Sequence, residues 1–176
     1  MRKVRYNVAA SLDGYIADAS GGFAWIPDDP AVDFAAIFAR VDTVLIGRRS
    51  FELTRQSGAP PWSPNMRVYV FSRTLRPEAY PDVTVVRENA DEVVAALRAE
   101  PGAGEIWLFG GGRMFSGLSA AGQVDTVEVT IVPVLLGGGV PLAAPGLPLT
   151  GLRLVDTHRY PSGMVTLTYV VEPRAG

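Results

Sequence analysis

Cysteine is absent from the 176-residue chain; histidine occurs once, at His158, and lysine once, at Lys3. The missing thiols exclude disulfides, thiolate nucleophiles and cysteine metal sites. One imidazole rules out a multi-histidine metal centre, and one lysine leaves Schiff-base chemistry almost without candidates. An excess of charge of either sign is missing too. The formal net charge is -2 and the pI about 5.4, which argues against a general surface for nucleic acid or an anionic membrane. Any basic patch must be local, as in a phosphate pocket. No run approaches the roughly 20 apolar residues of a membrane span, and the start MRKVRYNV lacks the apolar stretch of a signal peptide. The expectation is a soluble, cytoplasmic protein.

What is present is ordinary for one globular domain: 48% hydrophobic and 19% charged residues, enough to bury a sizeable core. The most informative stretch is Glu105 to Phe115, EIWLFGGGRMF. Its apolar start, Ile106 to Phe109, suits a strand buried on both faces. Gly110, Gly111 and Gly112 follow, and Arg113 to Ala121 has helical character. Glycines between a strand and a helix let the backbone turn tightly and a ligand come close. The free N–H groups of the first helical turn then bind anions, with diphosphate the obvious candidate.

Along the chain, Val4 to Ala10 reads as a strand and Ser11 to Gly14 as a turn, with Asp13 bonding that turn. A glycine-rich loop at Ser20 to Gly22 carries Phe23 and Trp25 and is expected to be exposed. Phe34, Ile37, Phe38 and Val41 have helical spacing, predicting a helix over Ala31 to Arg40 capped by Asp28 or Asp29. Thr43 to Ile46 is a short buried-type strand running into Gly47-Arg48-Arg49-Ser50 and a brief helix. Arg67 to Ser72 and Val83 to Val86 read as further strands, and Ala90 to Ala99 as an amphipathic helix. Val124 to Val132 alternates as a long strand, and Pro133 to Pro148 is a loop dense in glycine and proline. Leu152 to His158 and Met164 to Val171 fit a closing antiparallel hairpin. Helices alternate with strands until the last strands, which predicts three layers around a mostly parallel sheet with an antiparallel edge.

Three strand ends now carry phosphate-type chemistry: Gly47 to Ser50, Ser72 to Thr74, and Gly110 to Met114. Ligands of open α/β sheets bind outside the carboxyl ends of the strands, so these loops can converge on a dinucleotide. Arg48, Arg49, Ser72 and Arg73 favour NADP over NAD, because an added 2′-phosphate needs such donors.

These motifs, with Ser11-Leu12-Asp13-Gly14-Tyr15-Ile16-Ala17 and Val70-Phe71-Ser72-Arg73, occur in the order and spacing of the dihydrofolate reductase fold. The tail from Ile131 to Gly139, IVPVLLGGG, is more specific. It resembles the reductase domain of the bifunctional riboflavin-biosynthesis deaminase-reductase and its stand-alone relatives. The resemblance covers nearly the whole chain and implies an α/β/α dihydrofolate reductase-like fold with a sheet of about eight strands. It also implies an NADPH-dependent reductase acting on a small molecule. By position, Gly47, Arg48, Arg49 and Ser50 would hold phosphates, and Ser72 and Arg73 would face the 2′-phosphate. The stretch Gly110 to Phe115 belongs to the same cofactor site, with Gly111, Gly112, Arg113 and Met114 cradling the diphosphate. Ala10, Ile16 and Thr130 would border the nicotinamide and substrate.

The resemblance also points to a carboxylate on the first helix as proton donor. Asp33 is the nearest equivalent, and a buried carboxylate beside an apolar pocket has a raised pKa suited to that role. The bland alternative is a solvated helix residue. Trp25 is a candidate to stack on a flat substrate, or else to fold its loop onto the core. His158 reads as a surface or packing residue. Relatives of this kind commonly dimerise, and the apolar residues of Val134 to Leu147 are the expected homodimer surface. Dihydrofolate reductase proper and a non-catalytic nucleotide-binding protein are the competing functions.

Overall fold

The computed structural model describes residues 1–173 apart from 57, 59, 60 and 103. The chain opens with β1 (Val4–Ser11) and β2 (Tyr15–Ala17), then α1 (Phe34–Ala39), β3 (Val41–Gly47) and α2 (Arg48–Gln56). It continues through β4 (Arg67–Phe71), β5 (Thr84–Val86), α3 (Ala90–Ala99), β6 (Glu105–Gly110) and α4 (Gly112–Ala120). The last elements are β7 (Thr126–Val132), β8 (Val140–Pro141), β9 (Leu152–Arg159) and β10 (Val165–Val171).

Eight strands form one sheet in the order β5-β4-β3-β6-β1-β7-β10-β9. The strands from β5 to β7 are parallel, and β10 is antiparallel to both β7 and β9. A sheet buried on both faces needs near-continuous apolar strands, and β3 and β6 supply them. Alternate residues of these strands enter different cores. Leu45, Ile106 and Leu108 join Val94 and Leu97 of α3 and Phe115 and Leu118 of α4. Val44, Ile46 and Trp107 join Phe51 of α2, with Phe38 of α1 packed against them. Helices α3 and α4 therefore cover one face, and α1 and α2 the other.

Two expectations change. Helix α1 spans Phe34–Ala39 rather than Ala31 to Arg40, and Asp33 caps it by accepting from the Ala36 N–H at 2.8 Å. Asp29 cannot be that cap, because its carboxylate already accepts from the N–H of Ala31 and of Ser162. The segment Pro133 to Pro148 is also more than a loop: its β8 pairs with β2 as a small second sheet. Within it Leu142, Ala143 and Leu147 pack onto the core beneath α3 and α4, so these apolar residues are engaged in the chain's own fold.

The start of α4 lies against this segment. A Cβ on Gly112 would overlap the carbonyl oxygen of Pro141 and come within 3.0 Å of that of Leu142, so glycine is required for packing. Gly112→Ala should displace the α4 N-terminus and cost about 1–3 kcal/mol, as overpacking does. An unchanged thermal unfolding midpoint would show that the Pro141–Leu142 backbone can yield.

Candidate functional site

The chain leaves β3 through α2 toward β4 on one side, and leaves β6 through α4 toward β7 on the other. Adjacent strands whose connections diverge onto opposite faces open a crevice at their carboxyl ends, the usual place for a ligand in such sheets. The lining of this crevice is backbone. A Cβ on Gly47 would sit 3.5 Å from the Gly110 carbonyl oxygen and 3.6 Å from the Gly111 nitrogen. A Cβ on Gly111 would meet Ser50 Oγ at 3.6 Å and Ile16 Cδ1 at 3.8 Å. Gly47, Ser50, Gly111 and Ile16, chosen from separate motifs, thus converge.

The three consecutive glycines have different reasons to be glycine. Gly110 adopts φ +135°, a conformation disfavoured for other residues, and its peptide bond to Gly111 is cis. Gly112 is demanded by packing. Gly111 has ordinary extended torsions (φ -92°, ψ -169°), and an added Cβ there would make only ordinary contacts. Neither torsion nor crowding requires a glycine at Gly111. What its bareness leaves open is a backbone cradle between the first turns of α2 and α4, whose N–H groups point into it by helix geometry.

Charge is distributed to match. Around the amino ends of the strands, arginines are matched with carboxylates: Arg2 with Asp42, Arg5 with Glu105, Arg67 with Glu100 and Arg98 with Asp125. At the carboxyl ends, Arg49, Arg73, Arg87 and Arg113 are exposed, and among the described residues none has a carboxylate within ion-pair distance. Arg48 differs, since it pairs with Glu52 one turn along α2 at 3.2 Å. An edge bearing four unmatched guanidinium groups and two helix starts suits an anionic ligand.

Further along this edge a pocket of about 350 Å³ opens at the ends of β4 and β5, lined by Ser72, Arg73, Arg87 and Asn89 among others. Arg87 reaches back to donate to the Arg73 carbonyl at 3.1 Å, joining the two strand ends. Ser72 is buried; its Oγ accepts from the N–H of Thr74 and Leu75 and lies 3.4 Å from the Thr74 hydroxyl. Sequence reasoning found Ser72 and Arg73 but missed Arg87 and Asn89. The available signal was positional, because Arg87 follows the end of β5 as Arg73 follows that of β4.

Other predicted residues lie elsewhere. Phe115 is a core residue, stacked on Tyr6 with ring centroids 4.2 Å apart, and Met114 packs against the same core. Ala10 is fully buried, and alternation from Tyr6 turns its side chain toward α3 and α4, so Ala9 faces the opposite side. Thr130 is half-buried with its hydroxyl 2.7 Å from that of Thr166. Trp25 is folded back, donating to the Gly22 carbonyl at 3.2 Å. Asp33 is exposed and engaged as the α1 cap, not held in an apolar pocket. His158 is exposed on β9 beside Tyr160.

Carboxylates also tie the loops around the crevice. Asp13 accepts from the Ser11 hydroxyl and from the N–H groups of Leu136 and Gly137, linking the β1–β2 turn to the segment before β8. Asp29 joins the loop that carries Trp25 to the β9–β10 turn through Ser162. Hydrogen bonding, from Ser11 first for Asp13 and from Ser162 first for Asp29, holds both carboxyls below the usual aspartate range. A lowered folded pKa means the contribution is present above the ordinary value of about 3.9 and lost as pH falls through the lowered one. Asp29→Asn should therefore flatten part of the acid limb of a pH–stability profile. Parallel limbs for the two proteins would show that Asp29 carries none of it.

Sheet order, crevice and glycine-lined strand ends define a dihydrofolate reductase-like fold. The dihydrofolate reductase of Enterococcus faecalis in complex with NADP(H) superposes with a TM-score of 0.67 at 19% identity, over 97% of each chain. The profile of the RibD C-terminal domain matches residues 2–166, and the chain belongs to that family. A putative riboflavin biosynthesis protein from Shewanella sp. PV-4 is 29% identical with a TM-score of 0.84, covering 98% of this chain and all (100%) of that one. YyaP of Bacillus subtilis, an uncharacterized protein, is 32% identical over 179 residues, 96% of this chain and 94% of its own. No helix among the described residues is long and apolar enough to cross a membrane.

Proposed function

We propose that the protein is an NADPH-dependent reductase that transfers a hydride to a small heterocyclic substrate. The observation that carries this is Gly111, a glycine that neither its φ and ψ nor the contacts of an added Cβ require, set between Ser50 and Ile16 at the crevice. In this reading the diphosphate lies in that cradle, against the first turns of α2 and α4 with Arg49 and Arg113 nearby. The 2′-phosphate of the adenosine lies at the pocket of Ser72, Arg73 and Arg87, and the nicotinamide near Ile16 and the end of β1. NADPH would supply the hydride; the chain binds and orients it. Membership of the RibD C-terminal domain family and the NADP(H) complex of the E. faecalis enzyme support the reading. Dihydrofolate reductase proper is the less favoured activity, because Asp33 is an exposed helix cap.

Titration with NADPH and NADH, following nicotinamide fluorescence, tests the assignment. Preference for NADPH is the expected result, and no binding of either would sink the reading. Arg73→Ala and Arg87→Ala should each weaken NADPH by about tenfold or more with little effect on NADH, since a charged hydrogen bond is worth about 1.5–3 kcal/mol. Gly111→Ala should keep the unfolding midpoint while NADPH affinity falls. A variant that binds NADPH as wild type does would remove Gly111 from the site.

A further inference from the structure

The segment that leads from β7 to β8 is fastened to the β1–β2 turn at successive points. The Leu12 N–H donates to the Val134 carbonyl at 2.9 Å. Asp13 then accepts from the Leu136 N–H at Oδ1 (3.1 Å) and from the Gly137 N–H at Oδ2 (2.7 Å). The Ser11 hydroxyl holds Oδ1 in place at 2.6 Å. Gly139 lies so close to β2 that a Cβ there would overlap the Ala17 carbonyl oxygen. Tyr15 and Ala17 pair with Pro141 and Val140, and the Leu142 N–H donates to the Gly14 carbonyl at 2.8 Å. Residues 134–142 thus form a strap laid along residues 12–17.

The far end of the strap is fastened to α4. The carbonyls of Pro141 and Leu142 occupy the space that a Cβ on Gly112 would need. Two residues on, the Ala144 N–H donates at 2.8 Å to Oγ of Ser116, a buried residue of α4. Leu142 is also held from the sheet, its carbonyl accepting from the Tyr6 hydroxyl at 3.0 Å. Two walls of the glycine cradle therefore depend on one strap. Ile16 belongs to β2, which pairs with it, and Gly111 precedes the helical turn it presses on. A Cβ on Gly111 would stand 3.8 Å from Ile16 Cδ1, so a small shift of the strap changes the width of the cradle. The remaining wall, Ser50, is carried by α2 on the other face of the sheet.

Asp13 is exposed and lies outside the cradle. Each of its oxygens takes a different backbone N–H of the strap, an arrangement that a carboxylate satisfies and an amide does not. An asparagine would turn its own N–H groups toward one of those donors.

We infer that Asp13 is a positioning residue for the cofactor: acting through the 134–142 strap, it sets Ile16 against Gly111 and so the fit of the diphosphate and nicotinamide. The pocket of Ser72, Arg73 and Arg87, at the ends of β4 and β5, is separated from β1 by β3 and β6 and is independent of the strap. The identity of the ligand rests on the reductase reading; the mechanical link does not.

The test compares the full-length wild type with Asp13→Asn in two measurements. In calorimetric titrations the variant should weaken NADPH and NADH by the same factor, about fivefold or more, the lower end of coupling between distinct sites. Its affinity for adenosine 2′-monophosphate, which reaches only the outlying pocket, should be unchanged, whereas a general loss of structure would lower all three. In amide hydrogen exchange without ligand, the variant should lose protection at Leu142 and at Met114 and Phe115, whose N–H groups bond the Gly111 carbonyl, while the amides of α2 keep theirs. Ser116→Ala frees the strap from α4 with Asp13 intact and should act alike; it serves if Asp13→Asn does not fold. Unchanged NADPH affinity, an equal loss for adenosine 2′-monophosphate, or unchanged exchange at Met114 and Phe115 would overturn the inference. Failure of wild type to bind NADPH, with the exchange pattern as expected, would strike the reductase reading and leave the strap standing.

Discussion

The close approach of β3 and β6 at their carboxyl ends is the constraint on which the rest of the structure depends. Gly47 and Gly110 meet backbone to backbone, with no side chain between them. That contact brings the starts of α2 and α4 to one crevice while their bodies cover opposite faces of the sheet. A side chain at Gly47 would reach toward this contact, whereas a Cβ on Gly110 would meet nothing within 4 Å, and glycine there serves the φ of +135°. The apolar strands that lead into the contact supply the rigidity. Val44, Leu45, Ile46, Ile106 and Leu108 are fully buried, and each such side chain contributes about 1.5–3 kcal/mol on leaving water.

The electrostatics follow the same polarity. Charges near the amino ends of the strands are paired within the chain, so they hold the sheet together and leave little field for a ligand. Arg98 is buried while its partner Asp125 is half-buried, so loss of Asp125 would leave the guanidinium with the Gln123 carbonyl as its remaining acceptor among the described residues. At the carboxyl ends the guanidinium groups of Arg49, Arg73, Arg87 and Arg113 have no such partners among the described residues. A chain with net charge -2 thereby presents a local basic edge. The acidic surplus sits elsewhere, in loop-tying carboxylates such as Asp13, Asp18 and Asp29, which accept from backbone N–H groups instead of meeting cations.

On the reductase reading, the face that receives the substrate is chosen by closure of the other. Leu142, Ala143 and Leu147, just after β8, pack on the core that holds Tyr6 and Phe115, while Ala9 and Thr130 on the other face are half-buried. That face carries a hydrogen-bonded polar cluster. Asn7, Glu128 and Arg5 sit where apolar residues would pack with less desolvation cost, and their mutual hydrogen bonds offset that cost.

Much of the fold was legible in the residues because local patterns decided it. The apolar runs at Thr43 to Ile46 and Ile106 to Phe109, the helical spacing at Ala90 to Ala99 and the glycine-ended strands all act over short range, and the final hairpin formed where its alternation placed it. Glycine clusters and arginines at strand ends marked the crevice for the same reason. Tertiary structure alone decided the rest. Asp33 looked like an inward helix residue, yet Asp29 is drawn to Ser162, 133 positions away, which leaves Asp33 as the cap. Phe115 follows the glycine motif directly, but its position on α4 turns it onto Tyr6. Arg87 and Glu128 carry no motif, and they acquire neighbours only when β5 pairs with β4 and β7 with β1. Periodicity and turn chemistry depend on residues a few positions apart, whereas side-chain partners depend on which distant strands share a ladder.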